Sequence, residues 1–207
     1  DLAVGRGNYV VALSSDHGCV ELATGRNRLA TDSYRYTVGR AIWPRLPWLT
    51  LEKVVYFLGS DLAIRRRNLT ATEIPQDWIL TRQLAERLIL EPGVAYLLTA
   101  SDLVGGDTTG WDIERMAKRG AYPGRVPDIT VIFDEHIYLT GSPTGTGHGS
   151  PYWYDRHVPL VYWGKNVQAK HVSDPVRTVD MAPTLAEILG IVTPDSIDGR
   201  SLISMIH

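Results

Sequence analysis

The sequence holds a single cysteine, Cys19, in 207 residues. No disulfide can therefore close within the chain, and no metal site can be assembled from several thiolates. Any metal ligands must come from histidine and carboxylate side chains. An excess of one charge is missing too: 21 Lys and Arg stand against 23 Asp and Glu. No overall field marks the chain as a binder of nucleic acid or of a membrane surface, so affinity for a phosphate group must be local. There is no run of about 18 uncharged apolar residues able to span a bilayer, and no basic start followed by an apolar stretch. Internal repeats and low-complexity tracts are absent as well.

What is present suffices for a packed core, since 44% of the residues are hydrophobic and the length allows one large domain or one with a sizeable insertion. Asp1 to Asn8 are charged and Gly-rich, carry no initiating methionine, and lead at once into the apolar run Tyr9 to Leu13. This start is expected of a chain cut from inside a larger protein.

That run closes on Ser14-Ser15-Asp16-His17-Gly18, the pattern of a buried parallel strand delivering polar residues at its C-terminal edge, where open α/β sheets bind ligands. Gly25 to Pro47 reads as a surface loop or crossing segment. Val54 to Leu58, a turn at Gly59-Ser60-Asp61, and Leu62 to Leu69 propose a hairpin. After Thr72-Glu73-Ile74-Pro75, residues Gln76 to Leu90 place Trp78, Ile79, Leu84, Leu88 and Ile89 at helical spacing. Val94 to Thr99 reads as a strand, Trp111 to Arg119 as a short helix, and Asp128 to Phe133 as a strand. A Gly-rich loop, Gly141 to Pro151, then precedes a strand at Val158 to Trp163 and a helix at Asp180 to Leu189. The expected fold is α/β, part of a mostly parallel sheet flanked by helices. Residues 1–49 and 136–207 form its core, and 50–135 an inserted α+β lobe.

Asp16 and His17 are adjacent, follow a strand and precede a glycine, so a sharp backbone turn can present a carboxylate and an imidazole to one point, which suits zinc. Read alone, the pair fits a cap and a surface histidine better. His148 lies in Gly145-Thr146-Gly147-His148-Gly149-Ser150, where flanking glycines permit close approach to a ligand; a solvated loop histidine is the plain alternative. Arg65-Arg66-Arg67 on a strand would point to alternating faces, a solvated edge rather than a phosphate clamp. The six tryptophans read as core or interface anchors, with Trp153, beside His148, as the exception.

Leu13-Ser14-Ser15-Asp16-His17-Gly18 resembles the metal-binding Asp-His-Gly segment of the alkaline phosphatase superfamily. Thr146 to Leu160 is similar to the late metal-histidine segment of PafA-type, phosphate-irrepressible phosphatases and, more loosely, of nucleotide pyrophosphatase/phosphodiesterases. Val179 to Ala186, Gly190 and Asp198-Gly199-Arg200-Ser201-Leu202 resemble the closing helix and last turn of that family. The resemblance implies two zinc ions, with Asp16 and His17 on the nucleophile-side ion and His148 on its partner. It also implies hydrolysis of phosphate monoesters, with diesters the alternative, through a phospho-enzyme. Small-molecule phosphate esters are the implied partners, and the periplasm or cell surface the implied location. The family's nucleophile and remaining ligands would precede Asp1. The chain alone is therefore expected to bind metal weakly and to turn over nothing, since zinc needs three or four protein donors. Asp155 and His157 could orient ligands from behind, capping being an equal reading. An exposed sheet edge would invite a homodimer. A non-catalytic fragment or a degenerate relative is the other class of function, and a sulfatase or phosphoglycerate mutase branch the further enzymatic alternative.

Overall fold

The computed structural model describes residues 2–22, 28–42, 50–68 and 77–207, the side chains of 77–80 excepted. Trp43, Trp48, the segment Thr72 to Gln76 and the side chains of Trp78 and Ile79 thus lie outside the described residues. In chain order the elements are β1 (Val10–Ser14), β2 (Arg28–Ala30), α1 (Thr31–Ile42), α2 (Leu51–Val54), β3 (Val55–Leu58) and β4 (Asp61–Ile64). Then come α3 (Asp77–Leu88), β5 (Val94–Thr99), α4 (Ala100–Leu103), α5 (Ile113–Gly120), β6 (Ile129–Phe133) and β7 (Tyr138–Thr140). The last are α6 (Trp153–Arg156), β8 (Leu160–Gly164), α7 (Met181–Leu189) and α8 (Ile203–Ile206). The chain forms two compact units, one of Asp1–Gly18 with His157–His207 and one of Cys19–Arg156. These boundaries differ from the insertion expected at 50–135, because α1 buries its apolar face in the same core as the sheet that follows it.

In the Cys19–Arg156 unit the sheet runs β3-β4-β6-β5, every neighbouring pair antiparallel, while β2 and β7 pair in parallel. Tyr34, Val38 and Ile42, four residues apart on α1, are buried with Val54, Val55, Leu62, Ile129 and Phe133. This corrects the reading of 25–47 as a loop throughout: the four-residue spacing of apolar residues forms a helix once a sheet covers that face. Leu84 and Leu88 on α3 enter the same core, each stabilising it by about 1.5–3 kcal/mol relative to exposure. Ile89 falls beyond the helix end and is exposed.

The β3–β4 hairpin turns at Gly59, whose φ of 65° suits glycine, and Ser60. Its second strand stops at Ile64 instead of continuing to Leu69. Asp128 takes the Ile64 N–H at 2.6 Å and the Arg66 guanidinium at 2.5 and 3.1 Å. The chain winds into a 3-10 turn at Arg66–Asn68. Arg65 lies over the Tyr56 ring at 4.8 Å. The arginine run is therefore not a strand with alternating faces, but Arg66 and Arg67 are exposed, as a solvated run would be.

Asp61 Oδ1 accepts the Val131 N–H at 3.0 Å, and burial raises its carboxyl above the ordinary 3.8. The native state then holds this proton more tightly than the unfolded chain. Stability falls as pH rises through the window above 3.8. Asp61→Asn keeps an oxygen for Val131 and removes the titration. Its melting temperature, followed by circular dichroism, is expected to exceed the parent's by a few degrees at neutral pH and to converge with it below pH 3.8.

In the other unit β1 pairs antiparallel with β8, Val10 opposite Gly164 through Ser14 opposite Leu160. The expectation of a buried parallel strand at Tyr9 to Leu13 is thereby corrected. Val11 faces Trp163 and Leu13 faces Val161 across the ladder, and all four side chains are exposed. An apolar run does not tell which faces are covered. The fold remains α/β, but only β2–β7 among the described pairs is parallel.

The C-terminal segments are joined by buried polar groups. Asp180 accepts the Arg177 and Arg200 N–H groups, each at 2.9 Å. The Thr184 hydroxyl donates to the Asp180 carbonyl at 2.6 Å and accepts the Leu202 N–H at 2.9 Å. Gly199 packs so closely on Val179 that a Cβ would stand 2.1 Å from its carbonyl oxygen. The Asp198-Gly199-Arg200-Ser201-Leu202 turn thus closes on the start of α7.

Candidate metal centre

The segment leaving β1 is folded by its own side chains. Ser14 Oγ donates to the Pro159 carbonyl at 2.9 Å, and Ser15 Oγ to the His17 carbonyl at 2.8 Å. Asp16 Oδ1 accepts the His17 N–H at 3.0 Å. His17 Nδ1 stands 2.6 Å from the Gly18 carbonyl oxygen. A carbonyl only accepts, so Nδ1 carries a proton and Nε2 is the ring nitrogen left to meet a ligand. Nε2 lies 3.5 Å from Asp16 Oδ2. Two donors bonded to one zinc ion at about 2.0–2.2 Å with tetrahedral angles stand ~3.4 Å apart. The spacing of the two atoms is thus close to that of two donors on one ion. Asp16 is 85% exposed and His17 38%, open to an arriving ion. The Asp16 carboxyl is held below its ordinary value of 3.8, first by its own backbone N–H and then by His17, and stands ready as an anion.

His148 sits in the loop between β7 and α6. On its N-terminal side Gly147 accepts the Val20 N–H at 2.9 Å, the Thr146 hydroxyl donates to the Val20 carbonyl, and Gly145 accepts the Tyr138 hydroxyl at 3.0 Å. A Cβ on Gly147 would come within 2.7 Å of the Tyr138 ring, so any larger residue there must displace that ring. On the C-terminal side Asp155 Oδ2 accepts the Ser150 N–H at 2.7 Å. Asp155 is 5% exposed and ties down the backbone two residues after His148. Helix α6 is itself anchored: Tyr152 donates to the Phe133 carbonyl at 2.7 Å, and burial pushes its phenol up to about 12. Tyr154 stacks on His136 at 5.0 Å and accepts that residue's N–H at 3.2 Å.

Asp16 and His17 belong to one compact unit and His148 with Asp155 to the other, and His157 is an exposed residue of the first. Among the described residues no three His, Cys, Asp or Glu side chains gather closely enough to hold a metal by themselves. Trp111 and Trp163 are 63% and 61% exposed, so neither is a core anchor, and Trp153, the exception among the tryptophans, is 61% exposed. Sequence reasoning missed Val20, Tyr138 and Thr146 as the loop's supports. Gly147 was the available signal, since a glycine at that position marks a close approach.

No family model matches the chain. It is 28% identical to alkaline phosphatase PhoK of Sphingomonas sp, over 94% of this chain and 38% of that protein. It is 25% identical to alkaline phosphatase PafA of Elizabethkingia meningoseptica, over 100% of this chain and 38% of that protein. Along its length the chain is thus similar in sequence to alkaline phosphatases, PafA among them. The crystal structure of wild-type alkaline phosphatase PafA shares its fold with a TM-score of 0.79 and 22% identity, over 97% of this chain and 39% of that one. The chain thus spans under two-fifths of the length of the alkaline phosphatases it matches. No described helix is long and apolar enough to cross a membrane.

Proposed function

We propose that the chain contributes metal ligands to a zinc-dependent phosphate-ester hydrolase. Asp16 and His17 would hold one zinc ion and His148 a second, with the nucleophile supplied by a part of the protein outside these residues. The carrying observation is the Asp16–His17 pair, its imidazole oriented by the Gly18 carbonyl and its two donor atoms 3.5 Å apart. Zinc ions there would lower the nucleophile's pKa and neutralise charge on the entering and leaving oxygens. This chain's residues orient that chemistry: Gly18 sets the tautomer, and Asp155 holds the backbone after His148. His157 is proposed to act beside them. Phosphate monoesters are the favoured substrates and diesters the alternative. Export to the periplasm or cell surface, and pairing of two copies through an exposed sheet edge, complete the reading.

Zinc titration by calorimetry tests it. The 207-residue chain is expected to bind weakly, because neither segment supplies the three or four donors of a tight site. Asp16→Ala and His148→Ala are each expected to weaken a different part of the isotherm at least about tenfold, the loss seen when even an outer partner of a ligand is removed. Isotherms indifferent to both substitutions would remove the zinc reading and favour a non-catalytic fragment.

A further inference from the structure

The geometry points to Thr146 as a positioning residue that sets the backbone of the His148 loop by clamping it to Val20. Val20 is buried, and both its polar backbone groups are engaged by the loop. Its N–H reaches the Gly147 carbonyl at 2.9 Å, and its carbonyl takes the Thr146 hydroxyl. The side chain of residue 146 thereby supplies the second hydrogen bond of a two-point bridge across 126 residues of sequence. Tyr138 closes the loop's other side, donating to Gly145 and filling the space beside Gly147. The bridge ends one residue before His148 and three residues after His17. Within the Cys19–Arg156 unit the backbone entering His148 is thereby held by one pair of hydrogen bonds. Shape alone cannot replace the hydroxyl, since valine fills the same space and leaves the Val20 carbonyl without its donor.

The role rests on the zinc reading above, and the test separates the two. Thr146→Val, Thr146→Ser and His148→Ala chains are titrated with zinc against the parent, and amide hydrogen exchange is followed at Val20 and at 145–148 without metal. Thr146→Val is expected to bind zinc about ten- to a hundredfold more weakly and to exchange faster in both segments, while Thr146→Ser restores both. Parental affinity in Thr146→Val with binding lost in His148→Ala would overturn the positioning role and leave the zinc reading standing. Equal affinity in all four chains would sink the positioning role together with the assignment of His148 to zinc. Unchanged exchange in Thr146→Val would overturn the clamp whatever the zinc data give.

Discussion

Replacing Gly164 by alanine is expected to destabilise the unit built from Asp1–Gly18 and His157–His207 by about 3 kcal/mol, two costs acting together. Gly164 closes β8 opposite Val10 with a φ of 133°, a region that side chains with a Cβ rarely adopt; the backbone penalty is about 1 kcal/mol. The added Cβ would also stand 2.2 Å from the Tyr9 carbonyl oxygen and 3.0 Å from Val10 Cα. These are backbone atoms that cannot swing aside, and such overpacking costs about 1–3 kcal/mol. The same Tyr9 oxygen accepts the Lys165 N–H at 3.0 Å, so relief of the clash breaks the ladder's last bond. Gly190→Ala is the control. It shares a positive φ of 67°, but nothing lies within 4 Å of its added Cβ, so only the backbone cost remains. Urea unfolding followed by tryptophan fluorescence should show a much larger midpoint shift for Gly164→Ala than for Gly190→Ala. Equal shifts would mean that β1 yields freely. Since β1 leads directly to Asp16 and His17, zinc affinity is expected to fall together with stability.

Asp180→Ala should cost about 2–6 kcal/mol, ~1–3 kcal/mol for each of the two backbone N–H donors it leaves without a partner. The carboxylate is 1% exposed and satisfies two backbone N–H groups, from Arg177 and Arg200, on either side of α7. Removal strands both donors in a site water does not reach. The Arg177 guanidinium, 3.7 Å away and half-exposed, adds little by comparison because solvent screens it. Asn is expected to rescue only in part, since its amide nitrogen would meet one N–H donor head-on. Thr184→Val, which loses the bonds to Asp180 and Leu202, should cost about 1–3 kcal/mol. The double variant should cost less than the sum, because both residues hold the same closing turn. Strict additivity in urea melts would show the two to be independent.

Much of the fold was legible where the signal is local. The helix at Asp77–Leu88 follows from apolar spacing, and the β3–β4 hairpin from Gly59-Ser60 between two apolar runs. Helix α1 was not, because Tyr34, Val38 and Ile42 are diluted by Gly39, Arg35 and Arg40, and its burial depends on a sheet that follows it in sequence. Strand direction was illegible for a similar reason. Val10–Ser14 reads alike in a parallel or an antiparallel ladder, and its partner β8 lies about 150 residues away. The candidate site divides in the same way.

The sequence by itself determined the chemistry on offer: one thiol, adjacent Asp16 and His17 after a strand, and His148 between glycines. Only the tertiary structure decided that Val20 braces the His148 loop and that Asp180 binds the closing turn. Residue type and spacing set what a side chain can donate or accept. Which group meets it across 126 residues depends on the packing of the whole chain, and that is no property of the local pattern.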